Sequence, residues 1–335
     1  DGETNKCVEN IFNIIESGNY DLVGMQEYVH NWPFGDDRHP VFSEKMEGLN
    51  HLTLVKHELH HGGINKDIEI GSLYNTNRFE LMGKALSEFK IERKNWETKE
   101  ITKNVDDGRP VQALLLRDYK TGKYIIFLNA HFPQPFPISI NGSWKDKANY
   151  ISGIMTELVK NLITNSGANN TAVNNNNYII LAADTNDGYL KYINKPNWLK
   201  IYGKKMYVGT NINIKNTCCT SLVKDYVATT NGESMPNYKG HSYETWEDGD
   251  TITRDSLRGR KGDVIMYSGD GEFEYMYPEE KKDEPYSDHA PIAATLTVPA
   301  QSIGGRKRTR RKRKRRRRKR TKKKRRRKSK RRRRT

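Results

Sequence analysis

Side chains able to do chemistry recur at one kind of place in this 335-residue chain, the boundary of an apolar run. Asp21-Leu22-Val23-Gly24-Met25-Gln26 runs into Glu27, and Tyr124-Ile125-Ile126-Phe127-Leu128-Asn129-Ala130 runs into His131. The stretch Tyr178-Ile179-Ile180-Leu181-Ala182-Ala183 ends in Asp184-Thr185-Asn186. Asp263 opens Val264-Ile265-Met266-Tyr267, and Asp288-His289 stands just ahead of the apolar segment that begins at Ala290-Pro291. Carboxylates, carboxamides and imidazoles are the groups that bind a hard divalent cation and move protons. A phosphodiester calls for that combination, because it is anionic and its leaving alkoxide is poor. Mg²⁺ takes oxygen ligands and keeps several waters, so one or two carboxylates suffice.

Each segment alone has a plainer reading. Glu27 is then a surface Glu closing a strand, and Asp263 a strand-edge residue. Asp184 and Asn186, two apart, share a face if the strand continues, but Asp-Thr-Asn-Asp also suits an Asx turn. The order and number of the segments favour chemistry over the separate plain readings.

The elements that must position these groups follow from periodicity. A helix is predicted over 5–17, with Val8, Ile11, Phe12, Ile14 and Ile15 on one side and Gly18-Asn19 suited to a left-handed cap. Strand 21–26 follows. Residues 30–66, with many Pro, His, Gly and Asp, read as an exposed loop with short pieces of structure. Strands are expected at 68–75, 79–88, 110–118 and 123–130, the last two joined through Lys120-Thr121-Gly122. A helix spans about 145–165. The asparagine-rich stretch 166–177 reads as a polar loop with nothing to bury. Strands at 178–183, about 262–268 and about 291–298 complete the set. Hairpins and strand–helix units do not alternate regularly, which argues against a Rossmann fold or a TIM barrel. The pattern suits an α/β (α+β) domain of two packed, mostly antiparallel β-sheets flanked by helices.

Over residues 5 to 297 the ordered segments resemble the DNase I-like endonuclease/exonuclease/phosphatase superfamily, whose members cut phosphoester bonds with a divalent metal. The resemblance implies a four-layer sandwich and a phosphodiesterase using Mg²⁺, with Mn²⁺ or Ca²⁺ as alternatives. It makes Glu27 the principal metal ligand and Asp288 a metal-side carboxylate. His289 becomes the catalytic imidazole facing the phosphate, with Asp263 as its partner. Asp184 orients the nucleophilic water, and Asn186 hydrogen-bonds the phosphate. His131 is the second histidine, with Glu69 as the candidate partner; Glu69, alternating with apolar neighbours, equally reads as the wet face of a strand. Arg109, ahead of Pro110, is a candidate phosphate contact or an ordinary surface arginine. Histidine at 131, where abasic-site repair endonucleases carry asparagine, points to the branch holding DNase I, toxin nucleases, neutral sphingomyelinases and poly(A)-removing nucleases. One departure stands out: the family strand that precedes the first helix, ending in an asparagine of the metal site, has no counterpart here. Either the sequence is N-terminally incomplete or the protein lacks the piece.

Charge is segregated along the chain. Residues 306–335, Arg306 to Thr335, hold 26 Lys or Arg in 30 positions and no acid. Without them Lys and Arg fall from 59 to 33 against 41 Asp and Glu, so residues 1–305 carry a formal −8 rather than the +18 of the whole. The organisation expected is a catalytic domain over 1–300, a flexible hinge at 301–305 (Gln-Ser-Ile-Gly-Gly) and a disordered polybasic tail. Like charges at i and i+4 keep such a tail from being helical. It reaches at most about 100 Å and binds phosphates without regard to sequence. It has no aromatic residue on which a base could stack.

Three substrate classes compete. A nuclease with a nucleic-acid-binding tail is favoured. A lipid phosphodiesterase is the second, since a polybasic tail also binds an anionic membrane surface. Inositol-phosphate phosphatases fit less well, because Asp187-Gly188 stand where they have Tyr-Arg and Lys261-Gly262-Asp263-Val264 where they have Trp-x-Asp-Arg. Sphingomyelinase keeps its place. The third is a non-catalytic nucleic-acid-binding or packaging protein. Nothing calls for an obligate protein partner. Cys7, Cys218 and Cys219 form no disulfide framework or zinc spacing, so free thiols in a reducing compartment are expected. The tail also reads as a nuclear targeting signal. Location is therefore expected to be intracellular, nuclear or nucleic-acid-associated; the tail and asparagine runs look like proteins of large DNA viruses, which adds a virion or infected host cell.

Overall fold

Apolar side chains at helical spacing make α1 (Gly2–Gly18), which buries Phe12 and Ile15. The helix stops where Asn19 takes a φ of 45°, a left-handed conformation that Asn tolerates better than most residues. The computed structural model describes residues 2–26, 45–55, 59–61, 64–66, 70–90, 93–94, 101–102, 108–133, 143–175, 177–185, 199–208, 263–268, 272–276 and 292–297. All of these belong to one unit, Asp1–Thr297. The second unit, Val298–Thr335, holds the whole of the expected hinge and tail and lies outside the described residues.

After α1 come β1 (Leu22–Gln26) and β2 (Leu52–Val55), then the short pair β3 (Leu59–His61) and β4 (Ile64–Lys66). β5 (Ile70–Asn75) and β6 (Phe79–Phe89) are followed by the two-residue strands β7 (Arg93–Lys94) and β8 (Ile101–Thr102). β9 (Arg109–Asp118) and β10 (Tyr124–His131) form the expected hairpin, turning at Gly122 with a φ of 66°. α2 (Trp144–Asn165) and α3 (Asn170–Asn175) lead to β11 (Asn177–Asp184). β12 (Lys200–Ile201), β13 (Lys204–Lys205), β14 (Asp263–Tyr267), β15 (Glu272–Met276) and β16 (Ala293–Thr297) complete the order.

Five strands form one sheet in the order β14-β11-β10-β9-β6, and three form another in the order β1-β5-β2. Every pairing within them is antiparallel except β10 with β11. A parallel neighbour requires a crossover, which α2 and α3 supply. α2 starts where the Ser143 amide and hydroxyl both donate to Asp146 Oδ2, each at 2.9 Å, an acid placed well for the helix dipole. Its apolar side (Ile151, Met155, Leu158, Val159, Leu162) packs on the outer face of the five-stranded sheet. On the other side of the molecule, Phe12 and Ile15 of α1 meet Leu73 of β5. Helix, three-stranded sheet, five-stranded sheet and helix make the four layers expected of a DNase I-like sandwich. Each fully buried Leu or Ile in these layers contributes about 1.5–3 kcal/mol.

Two stretches that contribute to the main core differ from expectation. Residues 166–177 are not a bare loop: α3 turns within the asparagine run, and Val173 is wholly buried in the main core. Asn177 Nδ2 donates to Val173 O at 2.7 Å, so the polar tract satisfies its own backbone while one valine docks. The second is the hairpin β12–β13, for which nothing was expected. Tyr202 and Gly203 both take positive φ, 50° and 74°, the condition of a type I′ turn. The hairpin seats Leu199, Ile201, Met206 and Val208 on the same core.

Candidate active site

Three of the expected site residues stand in one row. In the parallel pair β10–β11, His131 is the register partner of Asp184; in the antiparallel pair β11–β14, Asp184 is the partner of Asp263. All three side chains share the face turned toward the three-stranded sheet, because the alternate residues (Ala130, Ala183, Val264) belong to the core under α2. The apolar runs explain why. Ile126-Phe127-Leu128 is buried, as are Ile179 and Leu181 on either side of the half-buried Ile180, and the ionisable groups stand where these runs end.

His131 is wholly buried, and Asp184 and Asp263 are nearly so. His131 Nε2 lies 3.6 Å from Asp184 Oδ2, an ion-pair distance longer than a hydrogen bond. Two carboxylates directly across strands repel when both are ionised. Carboxylate oxygens beside an imidazole are groups suited to proton transfer. Glu69 was the expected partner of His131 and lies outside the described residues. Among those described, Asp184 is the carboxylate at ion-pair distance.

One step below this row the two sheets are joined through polar side chains that sequence reasoning passed over. Asn129, in register with Gln112 on one side and Ala182 on the other, is wholly buried. Its Nδ2 donates to Gly71 O (2.7 Å), Ser72 Oγ (3.1 Å) and Met25 O (3.3 Å), and its Oδ1 accepts from Gln26 Nε2 (2.6 Å). Gln112 Nε2 donates to Val55 O at 3.0 Å. A Cβ on Gly24 would come within 3.0 Å of Asn129 Oδ1 and 3.1 Å of Ala182 Cβ, so glycine allows the sheets to approach here. In sequence, Asn129, Gln112 and Ser72 each interrupt an otherwise apolar strand, which marks them as polar without saying what they face.

Arg109 does not join the row. It pairs with Phe89 and shares its parity with Val111 and Ala113, which face α2. Glu27, Asn186, Asp288 and His289 lie outside the described residues, as does the tail. Glu27 is one peptide beyond Gln26, and Asn186 two residues beyond Asp184. Among the described residues no group of three or more His, Cys, Asp or Glu is placed to hold a metal ion, and no helix is long and apolar enough to cross a membrane.

No family model matches the sequence, and no curated protein matches it. Solved structures do. An endonuclease/exonuclease/phosphatase from Bacteroides vulgatus superposes with a TM-score of 0.52 at 14% identity, covering 88% of this chain and 91% of that one. TDP2 from C. elegans superposes with a TM-score of 0.50 at 14% identity, covering 89% of this chain and 72% of that one. The chain thus has the fold of these structures, the DNase I-like sandwich.

Proposed function

We propose that this protein is a divalent-metal-dependent phosphodiesterase, and specifically a nuclease whose polybasic tail holds it on nucleic acid. The observation that carries the reading is the row His131–Asp184–Asp263, three chemistry-bearing groups brought from distant segments to adjacent positions in a DNase I-like sheet.

The oxygen donors expected for the metal, Glu27 and Asp288, fit Mg²⁺, which when bound would polarise the phosphoryl oxygen and stabilise its developing charge. The chain's own groups do the rest. Asp184 accepts a hydrogen bond from the attacking water and takes its proton as the water oxygen bonds to phosphorus and the P–O bond to the departing alkoxide breaks, while Asn186 donates its amide to the phosphate. His289, held in one tautomer by Asp263, donates to the phosphate oxygen; His131, beside Asp184, sets the charge balance of the row. Burial strengthens each of these interactions relative to water.

The tail supports nucleic acid over a small diester, because 26 positive charges on a body of −8 supply affinity that a small substrate cannot use. The test is incubation of the chain with supercoiled DNA, single-stranded RNA and sphingomyelin vesicles, with Mg²⁺ and with chelator. Metal-dependent cleavage of DNA or RNA is expected. Cleavage of sphingomyelin alone overturns the nuclease reading, and no cleavage overturns the enzyme. Removing residues 306–335 should weaken DNA binding and flatten its salt dependence, with hydrolysis of a chromogenic diester unchanged or faster. An unaltered salt slope would make the tail an address or membrane anchor.

A further inference from the structure

We propose that Asn129 is a positioning residue of this site, joining the strand that leads into Glu27 and the strand that follows Glu69 to the strand that ends in His131. The inference rests on the phosphodiesterase reading above and adds to it how the parts are held in register.

Hydrophobic contact between two sheets is non-directional; it keeps them together without setting where one lies along the other. Asn129 supplies direction. Its amide nitrogen carries two hydrogens and has three oxygens in range, Gly71 O, Ser72 Oγ and Met25 O, while its carbonyl oxygen takes the Gln26 amide. Four groups from two strands of one sheet therefore converge on a single wholly buried carboxamide of the other. Every one of them is close in sequence to an expected site residue. Gln26 immediately precedes Glu27, Gly71 is two residues past Glu69, and Asn129 itself is two residues before His131. Two residues along a strand are about 6.6 Å, so a slip at Asn129 passes directly to the row above. Misplacement by about 1 Å costs on the order of 100-fold in rate.

The side chain is suited to this and close substitutes are not. Aspartate would face three oxygens with no hydrogen to give, and leucine would strand both donor and acceptors. Gln112 supplies the internal contrast. It is Asn129's register partner, wholly buried, and also joins the sheets through one amide, yet its partner Val55 ends a strand that leads to no expected site residue.

The full chain carries the test. Wild type, Asn129→Ser, Gln112→Ser and Gly24→Ala are compared for kcat and KM on bis(p-nitrophenyl) phosphate with Mg²⁺. Mn²⁺ binding without substrate is measured by electron paramagnetic resonance, and the urea midpoint is taken for each. Asn129→Ser should lower kcat about 100-fold with KM within about threefold and weaken Mn²⁺ binding about tenfold. Gln112→Ser should shift the urea midpoint comparably and leave kcat and Mn²⁺ binding within about twofold. If Asn129→Ser does not fold, Gly24→Ala decides: it crowds the same carboxamide while removing no polar group, and should lower kcat about tenfold. Equal kcat and Mn²⁺ affinity in wild type and in the folded Asn129 or Gly24 variant overturn the inference alone. So do losses that match those of Gln112→Ser. A wild type inert toward both the diester and DNA overturns the phosphodiesterase reading and this inference with it.

Discussion

The two faces of the five-stranded sheet are built from the same strands and follow different rules. The face under α2 is apolar throughout its core, with Leu115, Leu128, Leu181 and Met266 among its residues. The opposite face, also buried, carries Gln112, Asn129, His131, Asp184 and Asp263. The difference lies in what covers them. A helix offers side chains only, because its backbone groups are bonded internally, so a polar group beneath α2 would have few partners. The three-stranded sheet offers carbonyls at Met25, Val55 and Gly71, a hydroxyl at Ser72 and an amide at Gln26. Buried polar groups are tolerated where they are bonded, and the candidate site has grown on the face that can bond them.

Substitutions on the two faces should therefore separate function from stability. The largest effect is expected from Asp184→Asn, which should lower turnover on DNA by about 100-fold or more with little change in the urea midpoint, since acid–base groups supply about 10²–10⁴. Glu27→Gln and His289→Ala should do the same. Near-wild-type cleavage by Asp184→Asn would leave the polar face without a catalytic role. On the α2 face, Leu115→Ala should cost about 2–5 kcal/mol of stability while turnover per folded molecule stays within about twofold; a large catalytic loss there would erase the contrast. Val173→Ala, in the short helix docked on the same face, should cost about 2 kcal/mol by denaturant unfolding. A negligible change would return residues 166–177 to a loop. Smallest is Ser72→Ala on the polar face, expected to cost about 1 kcal/mol, because Asn129 keeps its bonds to Gly71 and Met25.

Much of this was readable from local pattern. The strand bounds at β1, β6, β9, β10 and β11 and the helix α2 fall within a few residues of their periodicity, since amphipathic spacing is a property of neighbours in sequence. His131 and Asp184 announced themselves as polar groups at the ends of long apolar runs. Asn129 and Gln112 did not, because an isolated polar residue within a strand looks the same whether it faces water or another sheet. Arg109 shows what residue type alone leaves open. Its type suited a phosphate contact, but strand parity places it on the face with Val111 and Phe89. The asparagine tract misled through composition, which averages away the one valine that docks.

What the sequence by itself determined is the inventory: which runs are buried, which groups terminate them, and the separation of a body at −8 from a tail of 26 positive charges. These depend on residue type and local period alone. What the tertiary structure decided is adjacency. That His131 lies beside Asp184 depends on a parallel pairing closed by a crossover of two helices, and that Asp184 lies beside Asp263 on a strand nearly eighty residues further on. Register between distant strands is set by which pairing buries the most apolar surface with every backbone group bonded. That quantity belongs to the assembled sheets and not to any segment of them.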